Sequence, residues 1–291
     1  MKHTKLHDIL ELCRPQHAIK NLLILFPPLF GKQLFHWDNL VPGISSLLSF
    51  SFIASAVYVF NDLIDCEKDR QHPIKQKRVF PSGRLSSSFG WVLFVVLSLV
   101  GFAITFFSKT TFLSLILAIV YLLINLLYSL KLKNEAIIDI IILSSGFVIR
   151  VYYGGVWFNV AISPWLFLCV LNGALCFALG KRRNEMIAAN GNYASRPVLG
   201  KYSLSFLTAS YYLFCGISIV FFSLWTVFLP HQNMLLQFSI PVVIMIMLRY
   251  NHLIETRAEA GDPVVTLLKD WILLSLAMIF LIMSTLGVYL T

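Results

Sequence analysis

Apolar stretches of about 20 residues recur from one end of this chain to the other, each long enough to cross a bilayer as a helix. Hydrophobic residues make up 58% of the 291 residues and charged residues 13%, well away from the roughly 45–50% and 25% of soluble domains. The pattern predicts an integral membrane protein: an all-α polytopic bundle of about nine transmembrane helices, one domain over residues 1–291 with no separate soluble part. Spans are expected at Ile19–Phe30, Leu40–Phe60, Phe89–Phe107, Thr111–Leu130, Ala136–Trp157, Pro164–Leu179, Leu204–Leu229, Met234–Leu248 and Leu267–Leu290. The first is short and carries Pro27-Pro28, so a tilt or kink is expected there. Ahead of it, within residues 1–14, Lys5–Leu12 reads as an amphipathic helix on the membrane surface, broken by Arg14-Pro15. Met1–Cys13 has neither the apolar run nor the small-residue cleavage site of a removable signal. The five cysteines form no C-x-x-C pair and read as free thiols.

Charge placement gives an orientation. Of 23 Lys and Arg residues, all but Lys32, Lys109 and Arg150 fall on the side that also holds the N-terminus. The positive-inside rule makes that side cytoplasmic, so the site loops, expected at 61–84 and 180–203, face the cytoplasm. The net charge of +9 is thereby explained at the membrane face without nucleic acid, and no base-reading module is present.

The second span delivers the densest charge in the chain, Asn61 to Gly83. On a continuing helix Asp62, Asp65 and Asp69 stand at i, i+3 and i+7 and fall within about 60° of one another. Three carboxylates on one face repel unless a cation lies among them, and an all-oxygen donor set favours Mg²⁺ over Zn²⁺. Lys68, Arg70, Lys75, Lys77, Arg78 and Arg84 follow closely. Acids that hold Mg²⁺ beside a basic loop suit a diphosphate; the plainer alternative is a solvated charged loop between two helices. Lys131-Leu132-Lys133 and Lys181-Arg182-Arg183-Asn184-Glu185 stand at span ends on the same side, and a bundle can gather such ends around one cationic mouth above an apolar interior suited to a lipid tail. Arg150 lies well inside the fifth span and Asp139 near its start, about 16 Å apart along one stripe. Neither reaches the other, and both should face the bundle interior. Arg150 is read either as a ligand for a lipid phosphate or as the partner of an acid on another helix.

The motif Asn-Asp-x-x-Asp-x-x-x-Asp after the second span resembles the UbiA superfamily of intramembrane prenyltransferases, and the likeness covers nearly the whole chain. Further segments are similar to its decaprenyl-phosphate phosphoribosyltransferase branch: Arg14-Pro15 with Lys20-Asn21, Asp69-Arg70-x-His72-Pro73-x-Lys75-x-x-Arg78, and Tyr128-Ser129-Leu130-Lys131-Leu132-Lys133. So are Gly146-Phe147-Val148-x-Arg150, Gly154-Gly155, Ser163-x-Trp165, Lys181-Arg182-x-x-Glu185, Arg249-Tyr250, and Gly261-Asp262-Pro263 with Asp270. The resemblance implies a UbiA-like bundle in a prokaryotic inner membrane. It also implies Mg²⁺-dependent transfer of 5-phosphoribosyl from 5-phosphoribosyl diphosphate to a polyprenyl phosphate, within cell-envelope biosynthesis. Asp62, Asp65 and Asp69 would be the catalytic metal ligands. Lys20, Asn61, His72, Lys75, Lys77, Arg78, Tyr128, Lys131, Lys133, Arg150, Lys181, Arg182 and Glu185 would bind substrate.

One departure bears on the substrate. Aromatic prenyltransferases of the superfamily carry a second motif, D-x-x-x-D, where this chain reads Lys181 to Glu185. Lys181 in place of the first acid repels a second metal and attracts a phosphate, which suits a donor with an extra phosphate; a basic helix end serving topology alone is the plainer alternative. Two rivals stay open: an aromatic polyprenyltransferase using a prenyl diphosphate, and a lipid-phosphate transporter or non-catalytic binder. Chain length of the lipid and oligomeric state are left open, a homo-oligomer included.

Overall fold

The computed structural model describes residues 4–71, 75–108, 111–193, 196–228, 234–256 and 263–290, and among them every regular element is a helix. In order these are α1 (Lys5–Cys13), a 3₁₀ segment (Pro15–Leu25), α2 (Phe26–Phe30), α3 (Leu40–Ile64), α4 (Cys66–Arg70), α5 (Ser87–Phe107) and α6 (Phe112–Leu130). Then follow α7 (Ile138–Trp157), α8 (Pro164–Ala189), α9 (Leu204–Phe228), α10 (Met234–Thr256), α11 (Pro263–Lys269) and α12 (Trp271–Tyr289), with short 3₁₀ turns between some of them. Eight of the described helices, α3, α5–α10 and α12, are long and apolar enough to cross a membrane.

The chain forms two compact units. The first comprises Met1–Pro27, Leu34–Ile142 and Ile149–Val160; the second comprises Pro28–Gln33, Leu143–Val148 and Ala161–Thr291. In the first, α3 is the axis against which α1, the 3₁₀ segment, α5 and α6 pack. Phe50, Ile53, Ala54 and Val57 of α3 meet Ala118 and Tyr121 of α6, Tyr153 and Trp157 of α7, and Ile24. Apolar contact alone does not bring helices together in lipid, so small residues and internal hydrogen bonds carry the association. At Gly101 a Cβ would come within 2.9 Å of the Ser49 carbonyl oxygen. There the Ser49 hydroxyl donates to the Gly101 carbonyl at 2.9 Å and lies 2.6 and 3.0 Å from the Thr105 and Tyr153 hydroxyls. In the second unit α8 packs on α9, and α10 on α9 and α12. Phe222, Trp225 and Leu236 form its core, with Trp165 and Phe280 against them.

Three expected boundaries move. The first expected span, Ile19–Phe30, is a 3₁₀ run followed by a five-residue α-helix, and it is not among the eight. Pro27 and Pro28 have no N–H to donate, so a helix continuing from residue 19 would lose two bonds; they instead occupy the first turn of α2, where those donors are not required. The sixth span does not give way to a loop at Gly180. It continues as α8 to Ala189, because no breaker intervenes before Asn190, which caps it in the left-handed region at φ 43°. Likewise α10 runs on past Leu248 to Thr256.

α1 forms as expected, capped by Thr4, but only part of it looks outward. Leu6 and Leu10 are exposed, whereas Asp8 and Leu12 are buried against the protein. Leu12 shares a core with Ala56, Val59, Leu97 and the loop residues Val79, Phe80 and Leu85. Arg84 fastens the same loop to α1 through Asp8 at 2.6 Å and Glu11 at 2.8 Å, and its hydrogen bond with Glu11 holds its guanidinium above the ordinary arginine range. The five cysteines are free thiols, as expected.

The 3₁₀ segment lies backbone-to-backbone on α7, where a Cβ on Gly154 would sit 1.9 Å from the Ile24 carbonyl oxygen. Gly154→Val should therefore destabilise the protein by about 2 kcal/mol or more. Gly216→Ala, where nothing lies within 4 Å, should be neutral. Thermal melts of the two detergent-solubilised variants, each against the parent, check this; equal melting temperatures would contradict the packing described.

Candidate active site

The last turn of α3 carries Asp62, and the chain breaks its helix for one residue at Asp65 before α4 presents Asp69. Asp62 and Asp69 are each 4% exposed. Carboxylates so buried require cations in contact, and the structure supplies them from distant parts of the sequence. Arg14 donates to Asp62 at 2.6 Å. Arg78 stands between the two acids, 3.3 Å from Asp62 and 2.8 Å from Asp69, and the Lys75 ammonium lies 3.9 Å from Asp69. Asp65 turns elsewhere and pairs with Lys133, from the turn between α6 and α7. The expected single face of three acids is thus divided: Asp62 and Asp69 share a guanidinium, and Asp65 has its own lysine. The backbone stays right-handed through Asp65 at φ −85°, with Asp69 N–H bonded to the Asp65 carbonyl at 2.8 Å, so it is the separate cationic partners that divide the acids.

Four of the expected substrate-binding residues join these acids or flank them. Lys75, Arg78 and Lys133 do so by direct ion pairing, and Asn61 by its place one residue before Asp62. Lys77 and Lys131 are exposed, and Tyr128 and Lys20 half-buried, on the loop, α6 and the 3₁₀ segment. His72 lies outside the described residues. Cys66 lies beside the acids, but burial pushes its thiol up, so it stays protonated and inert at neutral pH.

Arg150 is 4% exposed. Its Nε donates to Asn21 at 2.8 Å, and an Nη donates to the Tyr121 hydroxyl at 3.1 Å. Its guanidinium carbon sits 4.9 and 5.0 Å from the ring centres of Phe50 and Tyr121. Asn21 in turn donates to Ser51 on α3 at 2.9 Å. These contacts give Arg150 a bracing role between the 3₁₀ segment, α6 and α7.

In the second unit Lys181, Arg182 and Glu185 lie on α8 as one helical turn. Arg182 is fully buried and pairs with Glu185 at 2.7 Å; Arg196 also reaches Glu185, at 3.3 Å. Arg183 binds Thr208 at 3.0 Å and Glu255 at 2.7 Å. Asn184, 4% exposed, has no partner for either amide atom among the described residues. Arg249 takes both oxygens of Asp270, at 3.1 and 2.8 Å, while Asp270 caps α12. Gly261 and Asp262 lie outside the described residues.

Sequence reasoning missed Arg14 as a member of the site, and Asn184 as an unsatisfied polar group. Arg14 was legible only as a basic residue before a proline. Its partner is 48 positions away, and no spacing rule connects the two.

A decaprenyl-phosphate phosphoribosyltransferase from Mycolicibacterium smegmatis is 32% identical over 91% of this chain and 87% of its own length. One from Corynebacterium glutamicum is 27% identical over 97% and 86%. Among solved structures, a UbiA homologue from Archaeoglobus fulgidus bound to DMAPP and Mg²⁺ superposes with a TM-score of 0.74 at 17% identity, covering 96% of this chain and 97% of that one. A digeranylgeranylglyceryl phosphate synthase structure superposes at 0.67 and 19%, covering 99% of both chains. Residues 25–268 match the UbiA prenyltransferase family, so the resemblance read from the motif holds, and this chain belongs to that family as an integral membrane transferase.

Proposed function

We propose that the protein transfers 5-phosphoribosyl from 5-phosphoribosyl diphosphate to a polyprenyl phosphate, at the cytoplasmic face of a prokaryotic inner membrane. The observation that carries this reading is the alternation of buried carboxylates and basic side chains around Asp62: Arg14, Arg78, Asp69, Lys75, and beside them Asp65 with Lys133. The relatives named decaprenyl-phosphate phosphoribosyltransferase, matched over most of their length, support it.

The donor set suits a hard divalent cation. It consists of carboxylate oxygens alone, and a guanidinium already stands between two of them as a positive charge of the required sign. Asp62 and Asp69, which share Arg78, would hold Mg²⁺, with Asp65, turned toward Lys133, proposed as a further ligand; the chemistry the ion would supply there is neutralisation of diphosphate charge. Arg14, Arg78 and Lys75 then turn their donors from carboxylate to phosphate oxygens and stabilise the negative charge that grows on the leaving group. Asn61 supports that shell from the preceding position, and Lys133 orients Asp65. A phosphate oxygen of the polyprenyl phosphate attacks the anomeric carbon of the ribose. The carbon–oxygen bond to diphosphate breaks, and diphosphate departs with its electron pair. A phosphate monoester is mostly ionised at pH 7, so the step calls for no strong general base. Lys181, Arg182 and Glu185 on α8 keep their proposed place as substrate-binding residues; Asn184, buried beside them with no partner for either amide atom among the described residues, supports a polar ligand there. Lys20, His72, Lys77, Tyr128, Lys131 and Arg150 keep their proposed place on the substrate path.

The deciding measurement is diphosphate release from labelled 5-phosphoribosyl diphosphate with polyprenyl phosphate, run beside prenyl diphosphate with hydroxybenzoate. Turnover is expected with the first pair. Turnover with the second alone would make the protein an aromatic prenyltransferase, and binding without release would make it a carrier. Asp62→Asn should lower kcat at least about 100-fold while the melting temperature stays within a few degrees; full activity in that variant sinks the assignment. Chelation with EDTA should stop turnover and added Mg²⁺ should restore it, with Zn²⁺ a poor substitute. Activity that persists through chelation would remove the metal from the mechanism.

A further inference from the structure

The N-terminal segment builds more than a counterion for Asp62. Glu11, Leu12, Arg14, Gln16 and His17 line an open pocket of about 240 Å³ together with Asp62, Arg78 and Val79. Arg14 stands at the turn that makes this possible. Its backbone is left-handed, at φ 49°, and the chain passes there from α1 into the 3₁₀ segment, so residues on both sides of the turn line one space. Tyr58 of α3 supports the wall, with the Arg14 guanidinium carbon 5.2 Å from its ring centre and the His17 ring 5.4 Å away at 42°. The Arg84 pairs with Asp8 and Glu11 hold α1 in place behind it.

The lining has two kinds of chemistry. Arg14 and Arg78, both on Asp62, offer guanidinium donors to a phosphate. Glu11, Gln16 and His17 offer a carboxylate, a carboxamide and an imidazole, groups that exchange hydrogen bonds with hydroxyls. Only Leu12 and Val79 are apolar, which leaves little for a prenyl chain. The volume lies below the roughly 300 Å³ at which sites for whole small ligands begin, so it suits one fragment of a larger substrate. We propose that this pocket is the sugar subsite of the donor: Gln16, His17 and Glu11 bind the hydroxyls of a pentose while Arg14 spans Asp62 and the adjoining phosphate. The assignment rests on the phosphoribosyl reading above and adds what would select a sugar diphosphate over a prenyl diphosphate. A prenyl group would leave the polar wall unmatched, and sites built to bond a hydroxyl reject analogues without it by large factors, on the order of 10⁴.

The test uses the full-length protein in nanodiscs with Mg²⁺. Calorimetric Kd values for 5-phosphoribosyl diphosphate and for inorganic diphosphate are compared in the parent, Gln16→Ala and His17→Ala, with KM for both substrates measured alongside. Gln16 is exposed, so that variant is expected to fold like the parent. Each variant should bind the sugar diphosphate at least tenfold more weakly while inorganic diphosphate and the KM for polyprenyl phosphate change less than twofold, and His17→Gln should recover part of the loss. Unchanged affinity for the sugar diphosphate in both variants would overturn the subsite, as would equal weakening of both ligands, which marks an anion contact or a folding defect. A parent protein that binds the sugar diphosphate no better than inorganic diphosphate, yet turns over prenyl diphosphate, would overturn the phosphoribosyl reading itself.

Discussion

Asp62 ends a membrane-crossing helix with almost no exposure to water, and a carboxylate in that position is tolerated only with positive charge in contact. Removing its arginines would leave that carboxylate buried and unpaired at a cost of about 3–5 kcal/mol, a large share of the roughly 5–15 kcal/mol by which domains are stable; neutralising the acid instead leaves guanidiniums that reach water. The acid thus dictates where Arg14 and Arg78 must be, and through them the placement of the α1 turn and of the loop after α4. Asp69 makes the same demand on Arg78, and Asp65 on Lys133. Were a diphosphate and its metal to bind there as proposed, the ligand would bring negative oxygens for the basic groups and a cation for the acids, and neither set would be left uncompensated.

Apolar packing gives that electrostatic arrangement something rigid to stand on. Val79, Phe80 and Leu85 anchor the loop that carries Arg78, while Leu12 anchors the helix that leads to Arg14. Deeper in the same unit Arg150 ties the 3₁₀ segment to α6 and α7 through Asn21 and Tyr121. A charge at membrane depth costs several kcal/mol. Two aromatic faces at about 5 Å, each worth about 2 kcal/mol when desolvated, offset much of it and make the cation an effective brace.

The membrane spans were legible because lipid imposes a length and an apolarity that no other environment demands, and α5, α6, α7 and α9 lie within a few residues of where those rules put them. Where the rules are silent, the reading went astray. A hydropathy run ends when charge begins, but a helix ends only at a breaker, so α8 carries Lys181 to Glu185 as helix rather than loop. Pro27-Pro28 signalled a kink; the close approach of the 3₁₀ segment to Gly154 of α7 joins residues distant in sequence. In the site, the acids and the nearby Lys75 and Arg78 were legible from spacing. Arg14 and the pairing of Lys133 with Asp65 were not, since they join residues 48 and 68 positions apart.

The turn that presents Lys133 shows how far the acidic motif governs its surroundings. Ile137, at the start of α7, has a backbone φ of 69°, a region that a β-branched residue enters only under constraint. Such a conformation costs on the order of 1–3 kcal/mol and survives where neighbouring contacts over-determine it. Here the constraint is visible on both sides. α6 ends at Leu130, α7 begins at Ile138, and between them a single 3₁₀ turn must bring Lys133 onto Asp65. Loss of that contact would leave Asp65 to repel Asp62 and Asp69, so the connection that bends at Ile137 also carries the lysine that the acidic motif needs.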